Sequence, residues 1–197
     1  CLEMRDFTDR RLRRRVEPAG PDKIYISRSG LFRKRGRFLM EDYIEAKMKT
    51  EGYTVFHPQD HDLETQLAWY KGASAIVSTD NSALHLAAFV INPDCKIGIL
   101  LRRPGAIFAD FEMQLRWFAG VRPDIIDACT RYWFRAGEKV QYNEVYALID
   151  FEKTARALKS AGIIENANWV NPSNADVDRA VEKLEADTET RFDEIFL

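Results

Sequence analysis

Short apolar runs alternate with amphipathic segments along the first two thirds of the chain. Four of these runs are continuous and are predicted strands: 23–27, 53–57, 74–78 and 96–101. The segments between them predict helices over 38–50, from Asp62 as the N-cap residue onward, and over 81–91. Continuous apolar strands that alternate with helices are typical of a parallel sheet covered on both faces. The pattern therefore predicts an α/β fold, a Rossmann-like doubly wound parallel sheet over residues 21–135.

The two ends of the chain have a different pattern from the middle. Residues 1–20 predict a linker helix that ends at a proline- and glycine-containing break. Residues 136–197 predict helices over 143–160 and 175–188, each with its apolar residues on one side. We expect these C-terminal helices to pack on the sheet domain.

Charge is unevenly distributed along the chain, although the formal net charge of the 197 residues is only −2. Residues 1–37 contain twelve Lys or Arg and five Asp or Glu, a local charge of +7, which leaves −9 for the remainder. This asymmetry favours a localised anion site over a nucleic-acid-coating surface, so we expect no nucleic-acid partner. The block of five arginines within residues 10–15 is read either as a solvated helix face or as a docking surface for an anionic partner.

Composition limits the compartment and the kinds of cofactor. Three scattered cysteines, Cys1, Cys95 and Cys129, are too few for a disulfide framework or a zinc site. No apolar run reaches the length of a membrane span. We therefore expect a cytoplasmic protein without a metal centre.

Three polar segments follow predicted strands and are expected to meet at one edge of the sheet. They are the arginine-rich segment from Arg28 to Arg37, the segment HPQDHD at 57–62, and the segment STDNSALH at 78–85. Ligands of open α/β sheets bind outside the carboxyl ends of the strands, where helix N-termini present unpaired N–H groups. The sequence therefore predicts a binding site formed by these three segments.

The third segment carries the most suggestive chemistry. Asp80, Asn81 and Ser82 are helix-capping residue types, and we expect free amides at Ser82 and Ala83 to receive a phosphate. His85 follows on the same helical face. Two plainer readings stay open: Asp80 as a simple cap, and His85 as a satisfied interior histidine.

The arginines of the first segment suit a diphosphate, because a guanidinium matches phosphate oxygens bidentately. Arg28 and Arg37 are the first candidates. Arg35, Arg33 and Lys34 either swing over the diphosphate or are solvated loop residues. The sequence has neither a GxGxxG dinucleotide fingerprint nor a GxxxxGK[ST] phosphate loop, which makes nicotinamide oxidoreductases and P-loop NTPases poor candidates. A nucleotide sugar fits better.

Residues 23–101 resemble the C-terminal portion of the glycosyltransferase family 61 catalytic domain. The resemblance is carried by a strand that ends in Arg28, by Arg37 with Glu41 at a helix start, by Gln66 in the middle helix, and by the strand-turn-helix of 75–89. It implies the donor-binding half of a GT-B fold, which needs a second, N-terminal acceptor domain, and no obligatory metal or other cofactor. It also implies that Arg28 and Arg37 face the nucleotide or its diphosphate.

The resemblance further implies that the turn from Thr79 to Ser82 lines the donor site. The family usually has a Gly-x-His-Gly turn there, and this chain has Asp80 in place of the histidine. The run DNSALHLAA is similar instead to the donor turn of heptosyltransferase-type GT-B enzymes. Asp80 is thus one candidate for the catalytic base, and the other is a residue of the second domain.

These features predict a glycosyltransferase that moves a sugar from a nucleotide sugar to a growing surface glycan, such as capsule, exopolysaccharide or lipopolysaccharide. Its expected partners are the nucleotide sugar and the acceptor glycan, with peripheral membrane association only through the complete protein. The alternative is a non-catalytic nucleotide- or phospho-sugar-binding module.

Overall fold

A computed structural model describes residues 2–31, 35–103 and 108–195 of the chain. A five-stranded sheet consists of β1 (Lys23–Ile26), β2 (Thr54–Phe56), β3 (Ala75–Thr79), β4 (Lys96–Leu100) and β5 (Asp124–Ile126). All neighbouring strands are parallel, in the order β2-β1-β3-β4-β5. The four predicted strands are confirmed to within two residues at each end, and the predicted α/β, Rossmann-like fold is confirmed. The fifth strand was not predicted.

Seven α-helices lie in the described residues: α1 (Leu2–Thr8), α2 (Glu41–Thr50), α3 (Leu63–Gly72), α4 (Ala83–Ala87), α5 (Phe108–Gln114), α6 (Phe151–Ser160) and α7 (Asn174–Thr188). Asp62 caps α3 as predicted, because its Oδ1 accepts from the Thr65 amide at 2.7 Å. The prediction of a helix over 81–91 was wrong in length, since α4 has only five residues. After Ala87 the chain continues in turns, in which the Val90 and Ile91 amides both donate to the Ala87 carbonyl at 3.0 Å.

Helices cover both faces of the parallel sheet, as a doubly wound fold requires. On one face, Ile24, Ile76 and Ile97 lie in a core cluster with apolar residues of α3, α4 and α5. On the other face, Tyr25 and Val77 lie in a second cluster with residues of α2, α6 and α7. Successive residues of a strand point to opposite faces of the sheet. Because helices cover both faces, the strands are apolar at successive positions rather than at alternate positions.

A second, antiparallel sheet was not predicted. It consists of β6 (Cys129–Arg135), β7 (Tyr146–Ile149) and β8 (Phe192–Ile195), in the order β7-β6-β8. The predicted helix over 143–160 is therefore wrong in its first part, which is β7, and correct from Phe151 onward. All four residues of β7 are buried, and a short, fully apolar run does not distinguish a strand from a buried helix.

The predicted helix over 175–188 is confirmed as α7. Ser173 and Asp176 form a reciprocal capping box at its N-terminus. The predicted boundaries between the linker helix, the sheet domain and the C-terminal region stay a prediction. No helix in the described part of the chain combines the length and the hydropathy of a membrane span.

The chain between β1 and α2 pairs with the second sheet before it returns to the first. Phe38 forms a parallel bridge with Ala147 of β7. The Leu39 amide donates to the Ala147 carbonyl at 2.8 Å, and the Ala147 amide donates to the Arg37 carbonyl at 3.2 Å. This pairing places Arg37 beside β7. The end of β1 lies well before Arg37 in the sequence.

Candidate functional site

A pocket of about 300 Å³ lies at the carboxyl edge of the parallel sheet, and we name it the switch-point pocket. Its lining includes Ser27, Arg28 and Leu31 after β1, Gln59 and Gln66 near α3, and Asn81, Ser82 and Ala83 after β3. Strand β1 lies between β2 and β3, so the chain leaves β1 towards one side and reaches β3 on the other. Such a topological switch point leaves a crevice where ligands of open α/β sheets bind.

Arg28 is held at this pocket by contacts to the segment that follows it. Its Nε donates to the Gly36 carbonyl at 2.9 Å, and its backbone amide donates to Glu41 Oε1 at 2.8 Å. Burial lowers the pKa of Arg28, an effect that the Glu41 and Asp80 carboxylates oppose. A half-buried guanidinium that lines a pocket favours an anionic ligand.

The turn after β3 is ordered by Asn81. Its Nδ2 donates to Ser78 Oγ at 2.8 Å and to Thr79 Oγ1 at 3.2 Å, while its Oδ1 accepts from the Ala83 amide at 2.8 Å. The predicted free amide at Ala83 is therefore wrong, because the Asn81 side chain occupies it. Since α4 has only five residues, its helix dipole is small, and the anion site at its N-terminus stays a prediction. Asn81 and Ser82 still line the switch-point pocket, whereas Thr79 is buried beneath it.

Asp80 forms a buried ion cluster with two arginines. Its Oδ2 lies 2.7 Å from Arg103 Nε, and its Oδ1 lies 3.6 Å from Arg102 Nε. Asp80 and Arg102 are only 2% and 1% exposed. Burial lowers the pKa of Arg102 to about 10, and the Asp80 carboxylate opposes this shift. Because guanidinium groups hold the carboxylate, this geometry disfavours Asp80 as a general base, and its catalytic role stays a prediction.

Arg102 and Arg103 were missed by sequence reasoning. They follow β4 after Leu101, at the same sheet edge as the three predicted segments. The signal was present, since the rule that ligands bind beyond the carboxyl ends of parallel strands applies equally to β4. Arg102 also connects the two sheets, because its Nη1 donates to the Val145 carbonyl at 2.8 Å.

Contrary to the prediction from the sequence, Arg37 and Glu41 do not line the switch-point pocket. They line a neighbouring pocket of about 380 Å³, which we name the α7 pocket. Its lining includes Ser29, Arg37, Met40, Glu41, Tyr146, Ala180, Lys183 and Asp187. The reason is the pairing of residues 37–39 with β7, which the sequence did not reveal. Arg37 nevertheless stays connected to the β1 turn, since its Nη1 donates to the Ser29 carbonyl.

Glu41 is a buried carboxylate that connects the two pockets. Its Oε1 accepts from the Arg28 amide at 2.8 Å, from Ser27 Oγ at 3.2 Å and from Tyr25 Oη at 3.3 Å. Burial raises the pKa of Glu41, and the hydrogen bonds from Arg28 and Ser27 oppose that shift. Glu41 therefore orients the Arg28 backbone rather than contacting a ligand in the switch-point pocket.

The remaining predicted residues divide between the pocket and other contacts. Gln66 lines the switch-point pocket, where its Nε2 donates to the Pro58 and His61 carbonyls. His85 lies against α5, with Nδ1 2.6 Å from Gln114 Oε1 and its ring on Phe111, which matches the reading as an interior histidine. Arg35 is exposed and is not among the described lining residues of either pocket.

Two other predictions concern basic residues and metals. Arg33 and Lys34 lie outside the described residues. Within the arginine block of residues 10–15, Arg10, Arg11, Arg14 and Arg15 are exposed, which agrees with a solvated face. No group of three or more His, Cys, Asp or Glu side chains is arranged to hold a metal within residues 2–31, 35–103 and 108–195, and the expectation of no metal stays a prediction.

Comparison with known proteins identifies the family. The family model for Glycosyltransferase 61 matches residues 3–98, just under half of the chain. This match supports an assignment to the glycosyltransferase 61 family and suggests glycosyl transfer as the activity. The matched segment contains all three turns of the switch-point pocket and ends before Arg102 and Arg103. A comparison with curated proteins finds no match.

Replacement of Asp80 by Asn tests the buried ion cluster. Because Asp80→Asn leaves Arg102 buried without a counter-charge, we expect a loss of about 3–5 kcal/mol in the free energy of unfolding, measured in urea. The matched control is Glu194→Gln, which removes the more exposed ion pair between Glu194 and Arg131 and is expected to cost less than about 1 kcal/mol. Equal, small losses for both variants would contradict the role of Asp80 as the buried counter-charge of Arg102.

Replacement of Glu41 by Gln tests the burial of that carboxyl group. A pKa raised above the ordinary 4.5 gives stability that is fully present below about pH 4.5 and is lost as the pH rises through the folded-state pKa. Glu41→Gln removes this titration. We therefore expect its free energy of unfolding, relative to wild type, to increase between pH 4 and pH 7 in urea titrations. A constant or falling difference would show that the group is not desolvated.

Proposed function

We propose that the switch-point pocket binds the diphosphate of a nucleotide sugar, and that the chain is the donor-binding part of a glycosyltransferase acting on a growing surface glycan. The observation that carries the proposal is the convergence of Arg28 with Asn81 and Ser82 on one pocket between β1 and β3. The family match supports the same reaction class. We further propose a cytoplasmic site of action, with membrane contact only through the complete protein.

The local charge supports an anionic ligand. The Arg103 guanidinium lies close enough to help lower the pKa of both Arg28 and Arg102, and Arg28 also helps lower the pKa of Arg102. Three guanidinium groups therefore lie around the carboxyl edge. Asp80 and Glu41 oppose them with two carboxyl groups. The excess of positive charge is the condition that a diphosphate would satisfy.

In the proposed reaction, an acceptor hydroxyl oxygen forms a bond to the anomeric carbon of the donor sugar. The bond from that carbon to the diphosphate oxygen breaks, and its electron pair leaves with the nucleoside diphosphate. Arg28 stabilises the charge that develops on the leaving group, which is the role of preorganised donors in such reactions. The hydroxyl proton passes to a general base, and the ion cluster makes Asp80 the weaker candidate for it. We propose that guanidinium charge makes a metal ion unnecessary.

A non-catalytic nucleotide- or phospho-sugar-binding module is the second candidate. It is favoured by Asp80, which stands where the family usually has a histidine and whose carboxylate is held by Arg103. Both candidates predict binding of a ligand that carries phosphate. They differ in transfer: a module binds nucleotide sugars without ever transferring or hydrolysing them in the complete protein.

Replacement of Arg28 tests the proposed donor site. We expect Arg28→Gln to weaken binding of nucleoside diphosphates, with UDP, GDP and ADP as probes, by about 10- to 100-fold in isothermal titration calorimetry. This range corresponds to the loss of one charge-assisted hydrogen bond. Arg28→Lys retains the charge and is expected to lose less affinity.

The matched control is Arg15→Gln, which removes an exposed arginine of the 10–15 block. We expect this variant to bind the nucleotides as the wild type does. If Arg15→Gln weakened binding and Arg28→Gln did not, the anionic ligand would bind at the block and the donor-site proposal would be wrong.

A further inference from the structure

Glu41 lines the α7 pocket and has a buried carboxylate oxygen without a hydrogen-bond partner in the described part of the chain. Glu41 is 3% exposed, and although its Oε1 accepts three hydrogen bonds, its Oε2 has no hydrogen-bond partner among the described residues. Buried polar atoms are almost always hydrogen-bonded, so such an exception at a pocket indicates a donor supplied by a ligand. Glu41 lines the α7 pocket, whose volume of about 380 Å³ lies in the range of small-molecule sites.

Backbone strain is also concentrated at this pocket. Met40 lines it and has a φ angle of 61°, in the left-handed region that residues other than glycine rarely adopt. Met40 immediately precedes Glu41, the first residue of α2, so the strained turn determines where the Glu41 side chain begins. Strain of this kind persists where the surrounding structure imposes it, and it is frequent at ligand sites.

The charges around the α7 pocket are balanced, which argues for a neutral ligand with many hydroxyl groups. Three lining residues are cationic and three are acidic: Arg37, Arg179, Lys183, Glu41, Asp42 and Asp187. A hydroxyl group both donates to a carboxylate and accepts from a guanidinium or ammonium group, so it satisfies either kind of neighbour. Leu39, Ala180 and Leu184 add an apolar wall that suits the C–H face of a sugar ring.

The α7 pocket also borders the switch-point pocket. Arg28 lines one and Ser29 lines the other, and Glu41 in the α7 pocket accepts from the Arg28 amide. Glycosyl transfer requires the acceptor hydroxyl to come within about 3–3.5 Å of the donor carbon. An acceptor must therefore bind beside the donor sugar, which is attached to the diphosphate.

We propose that the α7 pocket binds one sugar ring of the acceptor glycan, whose remaining part binds the second domain that the resemblance implies, and that Glu41 accepts a hydrogen bond from one hydroxyl group of that ring. This inference rests on the proposed function, since it assigns the acceptor side of the same reaction. It also assigns a ligand role to α7, which lies outside the segment matched by the family model.

The test fills the pocket from α7 in the full chain. Ala180→Trp places an indole at the lining, whereas Glu182→Trp places the same group at an exposed position of the same helix. The probes are methyl glycosides of glucose, galactose, xylose and N-acetylglucosamine, followed by saturation-transfer NMR. We expect Ala180→Trp to reduce glycoside affinity at least tenfold and Glu182→Trp to leave it unchanged, with nucleoside diphosphate binding retained in both.

A second variant keeps the test decisive if the indole disturbs folding. Glu41→Gln retains the size of the side chain and an oxygen for the Arg28 amide, and we expect it to lose glycoside affinity about tenfold. Unchanged glycoside binding in Ala180→Trp and Glu41→Gln, or no glycoside binding to a wild-type chain that binds nucleotide, would overturn this inference alone. Glycoside binding that follows the expected pattern without any nucleotide binding would retain the sugar site and refute the donor-site proposal.

Discussion

The buried carboxylate of Asp80 connects the parts of the molecule on which the site depends. It lies at the end of β3 and contacts Arg103 and Arg102, which follow β4. Arg102 in turn donates to the Val145 carbonyl next to β7, so one carboxylate joins the parallel sheet to the second sheet. Without that counter-charge, two guanidinium groups would stand near Arg28 at the carboxyl edge with less compensation, and repulsion would oppose the packing that forms the pocket.

The turn after β1 is the element that the two pockets share. Ser27 and Arg28 face the crevice between β1 and β3, while Ser29 faces α7. Glu41 stabilises this turn by accepting a hydrogen bond from the Arg28 amide. The arrangement gives one cationic pocket at the switch point and one charge-balanced pocket beside it, which suits the proposed donor diphosphate and the proposed neutral acceptor. The match of residues 3–98 to the glycosyltransferase 61 family model agrees with glycosyl transfer as the reaction class.

The sequence predicted the parallel sheet because local pattern alone determines continuous apolar strands and their alternation with helices. It also placed Arg28, Gln66, Asn81 and Ser82 at the carboxyl edge of the sheet, where they line the switch-point pocket. The rule that ligands bind beyond the carboxyl ends of parallel strands needs no tertiary detail. Arg37 was placed wrongly because its position depends on pairing between residues 37–39 and β7, a contact over more than a hundred residues of sequence. The contacts of His85 likewise depend on which helix packs beside α4, and the periodicity of the sequence does not identify that helix.

The central claim is that the diphosphate binds at the switch point between β1 and β3. A crystal structure of the full chain with a bound nucleoside diphosphate tests it most directly. The account predicts diphosphate oxygens within about 3 Å of the Arg28 guanidinium and beside the turn of Asn81 and Ser82. Diphosphate density at the arginine block of residues 10–15 or in the α7 pocket, with the switch-point pocket occupied only by water, would contradict it.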